Sequence, residues 1–280
     1  MPVSRALLKE AYEAACRAEI EALKPGNVHV FSDGHRMSAD QFLRSAEVSA
    51  APLTEPGVSI GRRILAAISA TRSAVATNTN LGIVLLAAPL LRAAEMPGRD
   101  LGANAREVLA GLTMDDTAAV FEAIALASPG GLGDADNDVR EQPKIGLVEA
   151  MRQAGDRDLI ARQYANGMAD IFTTGLPVLV EAEKRGDSGM WPAVAVYLAF
   201  LTGFPDSHVA RKHRLDTALR VQREAAAVTA DLARQPDEET RIATLMAFDS
   251  DLKARAINPG TSADLTVASL LGRCLSQYLA

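Results

Sequence analysis

The sequence predicts an all-α fold, a single-domain bundle of roughly ten or more helices. Two observations carry this. Hydrophobic residues make up 48% of the 280-residue chain but aromatics only 4%, with Ala and Leu dominating. Alanine favours helix because it loses no side-chain entropy there, and a core of small residues lets helices approach closely. Apolar residues also recur at spacings of three and four, and Gly/Pro-containing polar turns interrupt them. No strand alternation runs beyond a few residues, and neither a linker nor a fixed repeat period appears.

The elements follow in order. Leu8, Ala11, Ala15 and Ala18 form the first apolar stripe, opened by Ser4 as a cap. It stops at "KPGNVHVFSDGHRMS", where Pro25 disfavours continued helix and Gly26 permits a tight turn. Ser38 with Gln41 reads as a capping box for the second helix. Residues 61–74 form a third, "TNTNLG" precedes a very apolar helix over 81–94, and another covers 100–112. Thr113 with Asp116 opens a helix that ends near Ser128-Pro129. "SPGGLGDADNDVREQPK" is the longest loop, and its Asp134, Asp136 and Asp138 suit a solvated acidic loop or a hard-cation site. Helices resume over 146–154, 156–172, 177–185, 191–201, 215–232 and 238–256, and the last starts near Ala263.

The bulk chemistry narrows the function. A net charge of −6 argues against a broad nucleic-acid surface, but leaves room for a local basic pocket. Cys16 and Cys274 lie in apolar helical stretches and read as free buried thiols, with a disulfide joining the termini as the alternative. The absence of an apolar leader and of a long apolar run points to a cytoplasmic protein with no membrane partner.

Unusual residues collect at four turns: "KPGNVH", "TNTNLG", "FPDSHVARKH" and "NPGTSADL". Thr77, Asn78, Thr79 and Asn80 exceed what one cap needs, although Thr79 or Asn80 alone serves as an N-cap. The same turn can instead present amides and free N–H groups to an anion. In "NPGTSADL", Thr261 or Ser262 caps, while Asp264 either complements the helix dipole or faces a metal. Lys24, Asn27 and His29 come from the first stretch, with Asp33, His35 and Arg36 close behind. His208 and His213 lack zinc-site spacing, the Gly-rich loop lacks a P-loop pattern, and no activated nucleophile is evident. A direct displacement helped by Mg²⁺ needs carboxylates for the metal, Lys and Arg for phosphates, and one base, all of which are present.

These four stretches, in this order, resemble the triphosphoribosyl-dephospho-coenzyme A synthase family over most of the chain. The matching residues are Lys24-Pro25-Gly26, Asn78-Thr79-Asn80-Leu81-Gly82, Asp206-Ser207 with Arg211-Lys212, and Pro259 to Leu265. The resemblance implies an all-helical enzyme in which a hydroxyl of 3′-dephospho-coenzyme A attacks the ribose C1 of ATP and adenine leaves. It further implies that Lys24, Arg211 and Lys212 hold phosphates, and that Asn27, Asn78, Thr79 and Asn80 contact substrate. Asp206 becomes a Mg²⁺ ligand or acid/base group, Asp264 a second metal ligand, and His208 a base with an ordinary pKa near neutrality. Citrate-lyase-type members tend to read "NTHKG" where this chain has "NTNLG". That form resembles a branch found in methanogens and methylotrophs. Phosphoribosyl transfer from phosphoribosyl pyrophosphate, toward a tetrahydromethanopterin-type cofactor, is therefore the alternative reaction. A non-catalytic nucleotide-binding protein is the alternative class, and a homo-oligomer is allowed by the sequence.

Overall fold

A computed structural model describes residues 3–35, 37–127, 142–235 and 237–280, and over them the protein is all-α. Arg36 and the acidic loop with Asp134, Asp136 and Asp138 lie outside the described residues. The first half of the chain gives α1 (Arg5–Ile20), α2 (Ala39–Leu53), α3 (Ile60–Val75), α4 (Leu81–Ala94), α5 (Leu101–Ala110), α6 (Met114–Ala127) and α7 (Leu147–Ala154). The second half gives α8 (Leu159–Asn166), α9 (Leu176–Arg185), α10 (Trp191–Gly203), α11 (Ser207–His213), α12 (Leu215–Leu232), α13 (Glu238–Ala254) and α14 (Gly260–Leu279). No β-strand is formed among the described residues; two isolated bridges, His29 with Ser32 and Gly34 with Met37, tighten the turn after α1.

The centre is α4, in which every side chain but Gly82 and Arg92 is buried. Such a helix has no solvent face, so it must be surrounded. It packs against α14, α3 and α5, while α2 and α3 pair with each other and α1 with both α2 and α14. One buried apolar cluster gathers the helices around α4, and a second gathers α10, α12 and α13. The last helix joins the two, placing Leu265, Leu271 and Leu275 in the first and Ala263 in the second.

Three local expectations change. The segment expected as one helix over 156–172 breaks, because Gly167 and Met168 both take positive φ and a π-helical turn, Ile171–Gly175, leads into α9. Left-handed geometry at Gly167 is what ends α8. Second, neither Thr79 nor Asn80 caps α4; the Asn78 side chain accepts the Leu81 N–H at 3.2 Å. Third, α14 is capped by neither Thr261 nor Ser262. The carboxylate of Asp206 accepts the Ser262 N–H at 2.7 Å and its hydroxyl at 2.8 Å, while also accepting the Val209 N–H of its own helix at 3.0 Å. One buried side chain thus closes two helix N-termini. The thiols of Cys16 and Cys274 are free, the first buried and the second half-buried.

Candidate active site

The four polar stretches converge on one cavity of about 960 Å³, within the usual size of a small-molecule site. Its wall includes Asn27, Thr79, Gly82, His208, Asn258 and Asp264. The turn after α1 is held against this wall by backbone contacts. Gly26, at φ +82°, donates its N–H to Asp249 at 2.8 Å, and Tyr197 donates to the Pro25 carbonyl at 2.6 Å. A Cβ on Gly26 would also lie 2.9 Å from both Leu252 and Pro259, so this turn needs glycine for conformation and for space. Asn27 then donates to Asn258 at 2.7 Å, joining the first stretch to the last.

Two acidic side chains, Glu19 and Asp264, line the cavity from α1 and α14. Asp264 reaches it from the second turn of α14, which starts earlier than the sequence suggests, at Gly260. Its carboxyl lies directly over Gly82, where an added Cβ would sit 2.0 Å from its Oδ2. Burial pushes the Asp264 carboxyl well above the usual range, and the neighbouring charges of Glu19 and Asp206 push it further. Glu19, from the last turn of α1, lines the same cavity. Its carboxylate lies 3.1 Å from the Lys24 Nζ, with both side chains almost wholly buried. Burial raises the Glu19 carboxyl and lowers the Lys24 ammonium, and the attraction between them opposes both.

The other chemistry is basic. His208, Arg211 and Lys212 line the wall from α11, and His35 joins them from the turn after α1. Arg211 is ion-paired to Asp158, which also caps α8 through the N–H groups of Ile160 and Ala161. Lys212 is exposed and has no ion partner among the described residues. Burial, Lys212 and Arg211 hold the His208 imidazole neutral, its pKa pushed down to about 3. The base role expected from an unperturbed histidine does not suit such a ring.

Not every expected residue reaches the cavity. Lys24 is turned away from it; Nζ donates to the carbonyls of Glu19 at 2.8 Å and Val28 at 2.9 Å besides meeting the Glu19 carboxylate. No donor is left for a phosphate. Asp206 is also behind the wall, with both oxygens engaged by α11 and α14. Asn80 is buried and donates to Ser49 at 3.3 Å. Asn27, Asn78, Thr79, Arg211, Lys212, His208 and Asp264 do line the cavity.

Sequence reasoning missed Glu19, the segment between α7 and α8, which contributes Arg157 and Asp158 to the wall, and Arg162 from α8. Arg162 is paired with Asp170 at 2.9 Å and stacks its guanidinium over Phe204, 5.3 Å from the ring centroid. Apolar wall is supplied by Phe42, Ile83, Phe121, Ile124 and Met151. The signal for Glu19 was its place on the α1 stripe, one helical turn past Ala15, where a carboxylate in an apolar row needs an explanation. For residues 155–162 the signal was an Asp cap, Asp158, flanked by unpatterned arginines.

Among the described residues, no group of three or more His, Cys, Asp or Glu side chains is placed to hold a metal ion. Asp206 has no oxygen to spare, so the pair of metal ligands expected, Asp206 and Asp264, does not fit a preformed cation cage.

Carboxyl groups, several cations and an apolar wall in one all-α enclosure have the make-up of a small-molecule site. The chain belongs to the ATP:dephospho-CoA triphosphoribosyl transferase family, CitG, whose sequence pattern it matches over residues 5–279. It is therefore a transferase. It is also similar to the crystal structure of a candidate triphosphoribosyl-dephospho-CoA synthase from Archaeoglobus fulgidus. The two share 26% identity with a TM-score of 0.66, over 82% of this chain and 97% of the other. No curated protein matches the sequence.

Proposed function

We propose that this protein transfers the triphosphoribosyl group of ATP to a hydroxyl of 3′-dephospho-coenzyme A, releasing adenine. The observation that carries the reading is the convergence, in a member of this family, of acidic and basic groups in one cavity. Displacement at ribose C1 develops positive charge on that carbon, which the Glu19 carboxylate, lining the cavity beside Lys24, would stabilise. Arg211, Lys212 and Arg157 supply cations for the triphosphate at the other chemistry's edge. Neutral His208 offers a hydrogen bond to a phosphate oxygen, and a phosphate beside it would draw a proton onto the ring. Asn27, Asn78 and Thr79 are placed for sugar hydroxyls, and the apolar wall for adenine or the pantetheine arm.

Lys24, Asp206 and Asn80 take supporting roles: Lys24 fixes Glu19, Asp206 fixes α11 against α14, and Asn80 fixes α4 against α2. A magnesium ion would enter coordinated mainly by the triphosphate, as this ion commonly does, and no step here is routed through one. Nothing in the cavity favours phosphoribosyl pyrophosphate as the donor; that reading rests on the "NTNLG" sequence alone.

The test is chromatographic detection of free adenine when the protein is incubated with ATP, Mg²⁺ and dephospho-coenzyme A. Adenine should appear in step with a triphosphoribosyl adduct of the acceptor. A protein that binds ATP yet yields no adenine with this acceptor would sink the proposal. Pyrophosphate release from phosphoribosyl pyrophosphate under the same conditions would move it to the alternative donor.

A further inference from the structure

We infer that Glu19 is a further catalytic residue, the group that takes the proton of the attacking hydroxyl, with Lys24 as the positioning residue that holds it. The inference rests on the transfer reading above.

The balance of the reaction demands such a group. The acceptor oxygen forms a bond to ribose C1 as the C1–N9 bond breaks and its electron pair stays on adenine. The hydroxyl proton must leave the new ether oxygen, and adenine must gain a proton to depart neutral. At neutral pH the first transfer needs a basic group facing the cavity. His208 is a weak base in its cationic surroundings, and its own helix sets Arg211 and Lys212 beside it, with His35 opposite. His35 already spends Nε2 on the Gly26 carbonyl at 2.8 Å. Asp158 is committed to Arg211 and to the α8 N-terminus.

Asp264 has no cation in contact among the described residues, and burial with its acidic neighbours favours its protonated form. It suits the opposite task, giving the proton that adenine takes. Glu19 differs from all of these by its built counter-ion. Lys24 sits 3.1 Å away, and two backbone carbonyls orient the ammonium. A carboxylate held charged, yet desolvated, is a stronger base than one in water. Two carboxyl groups line the same cavity, and the lysine in contact with Glu19 favours its charged form relative to Asp264, which has no cation in contact among the described residues. The Lys-Pro-Gly turn gains a purpose here. It returns the chain so that Lys24, five residues after Glu19, points back at that side chain and away from the ligand space.

The experiment compares wild type, Glu19→Gln, Glu19→Ala and Lys24→Gln in the adenine-release assay, with helical content checked by circular dichroism. Glu19→Gln keeps size and hydrogen bonding, and its kcat should fall by about 10²-fold or more with the KM for ATP held within a few-fold. Formate should restore part of the turnover of Glu19→Ala, since a small carboxylate can occupy the emptied space. In Lys24→Gln the opposing cation is gone, so the Glu19 carboxyl titrates higher. The acid limb of kcat/KM should then move to higher pH, which a purely structural lysine would not cause. Glu19→Gln retaining kcat within about threefold, or an unmoved acid limb in folded Lys24→Gln, overturns the inference while leaving the transfer reading intact. If wild type releases no adenine, both fall together.

Discussion

At the scale of single residues, the site depends on contacts that allow almost no added volume. Gly82 is the clearest case, because its missing Cβ is the space in which the Asp264 carboxylate lies. Gly82→Ala should retain the helical signal and lower turnover by about 10²-fold, since a displacement near 1 Å at a reacting group costs that much. Wild-type kinetics in that variant would show that Asp264 has no place in the chemistry. His208 makes a prediction about pH. Its folded pKa, about 3, lies below the ordinary value of an unfolded histidine. The unfolded chain therefore binds more protons between about pH 6.5 and 3, and stability falls as pH falls through that window. The loss should be smaller in His208→Gln, measured as a shallower decline of Tm below pH 6.5. Equal slopes for both proteins would mean that His208 is not held neutral by its surroundings.

At the scale of elements, the helices were legible and their joints were not. The stripe in α1 and the solidly apolar α4 follow from periodicity, which a single sequence displays. Caps shared between distant segments leave no such trace. The resemblance makes Asp206 a metal ligand or acid/base group, yet its partner Ser262 lies 56 residues away. The resemblance likewise implies that Lys24 is a phosphate contact, but its acceptors, the Glu19 carboxylate and the Val28 carbonyl, are set only by how α1 and the turn fold together. Arg211 and Lys212 are adjacent in α11 but differ in their duties. Arg211 ties α11 to the start of α8 through Asp158, whereas Lys212 has no such tie among the described residues. Lys212→Gln should raise the KM for the donor by about tenfold with Tm unchanged, as befits one exposed phosphate contact. Arg211→Gln should raise KM and also lower Tm by a few degrees, because it leaves the buried side of Asp158 without its cation. Identical Tm losses in the two variants would refute this division.

At the scale of the whole molecule, the cavity lies where the two apolar clusters meet. Its wall draws on α1, α4, α8, α11 and α14, and those helices come from both clusters. The joints between the segments beside it are polar: Asp206 to Ser262, Asn27 to Asn258, and Gly26 to Asp249. Polar joints with carboxyl groups pushed up by burial, as at Asp264 and Asp206, are costly to assemble without a ligand. A triphosphate that engages Arg211 and Lys212 while its sugar lies beside Asp264 would bridge these segments and stabilise them at once. Mass action sets the size of the effect: a donor at 100 times its Kd stabilises by about 2.7 kcal/mol, which for a chain of this length raises Tm by about 5 °C. The rise should appear with ATP, shrink in Lys212→Gln, and weaken with added salt, because Lys212 is exposed and its charge is screened. An equal rise with adenosine alone would place the binding energy in the apolar wall and remove the phosphate role assigned to α11.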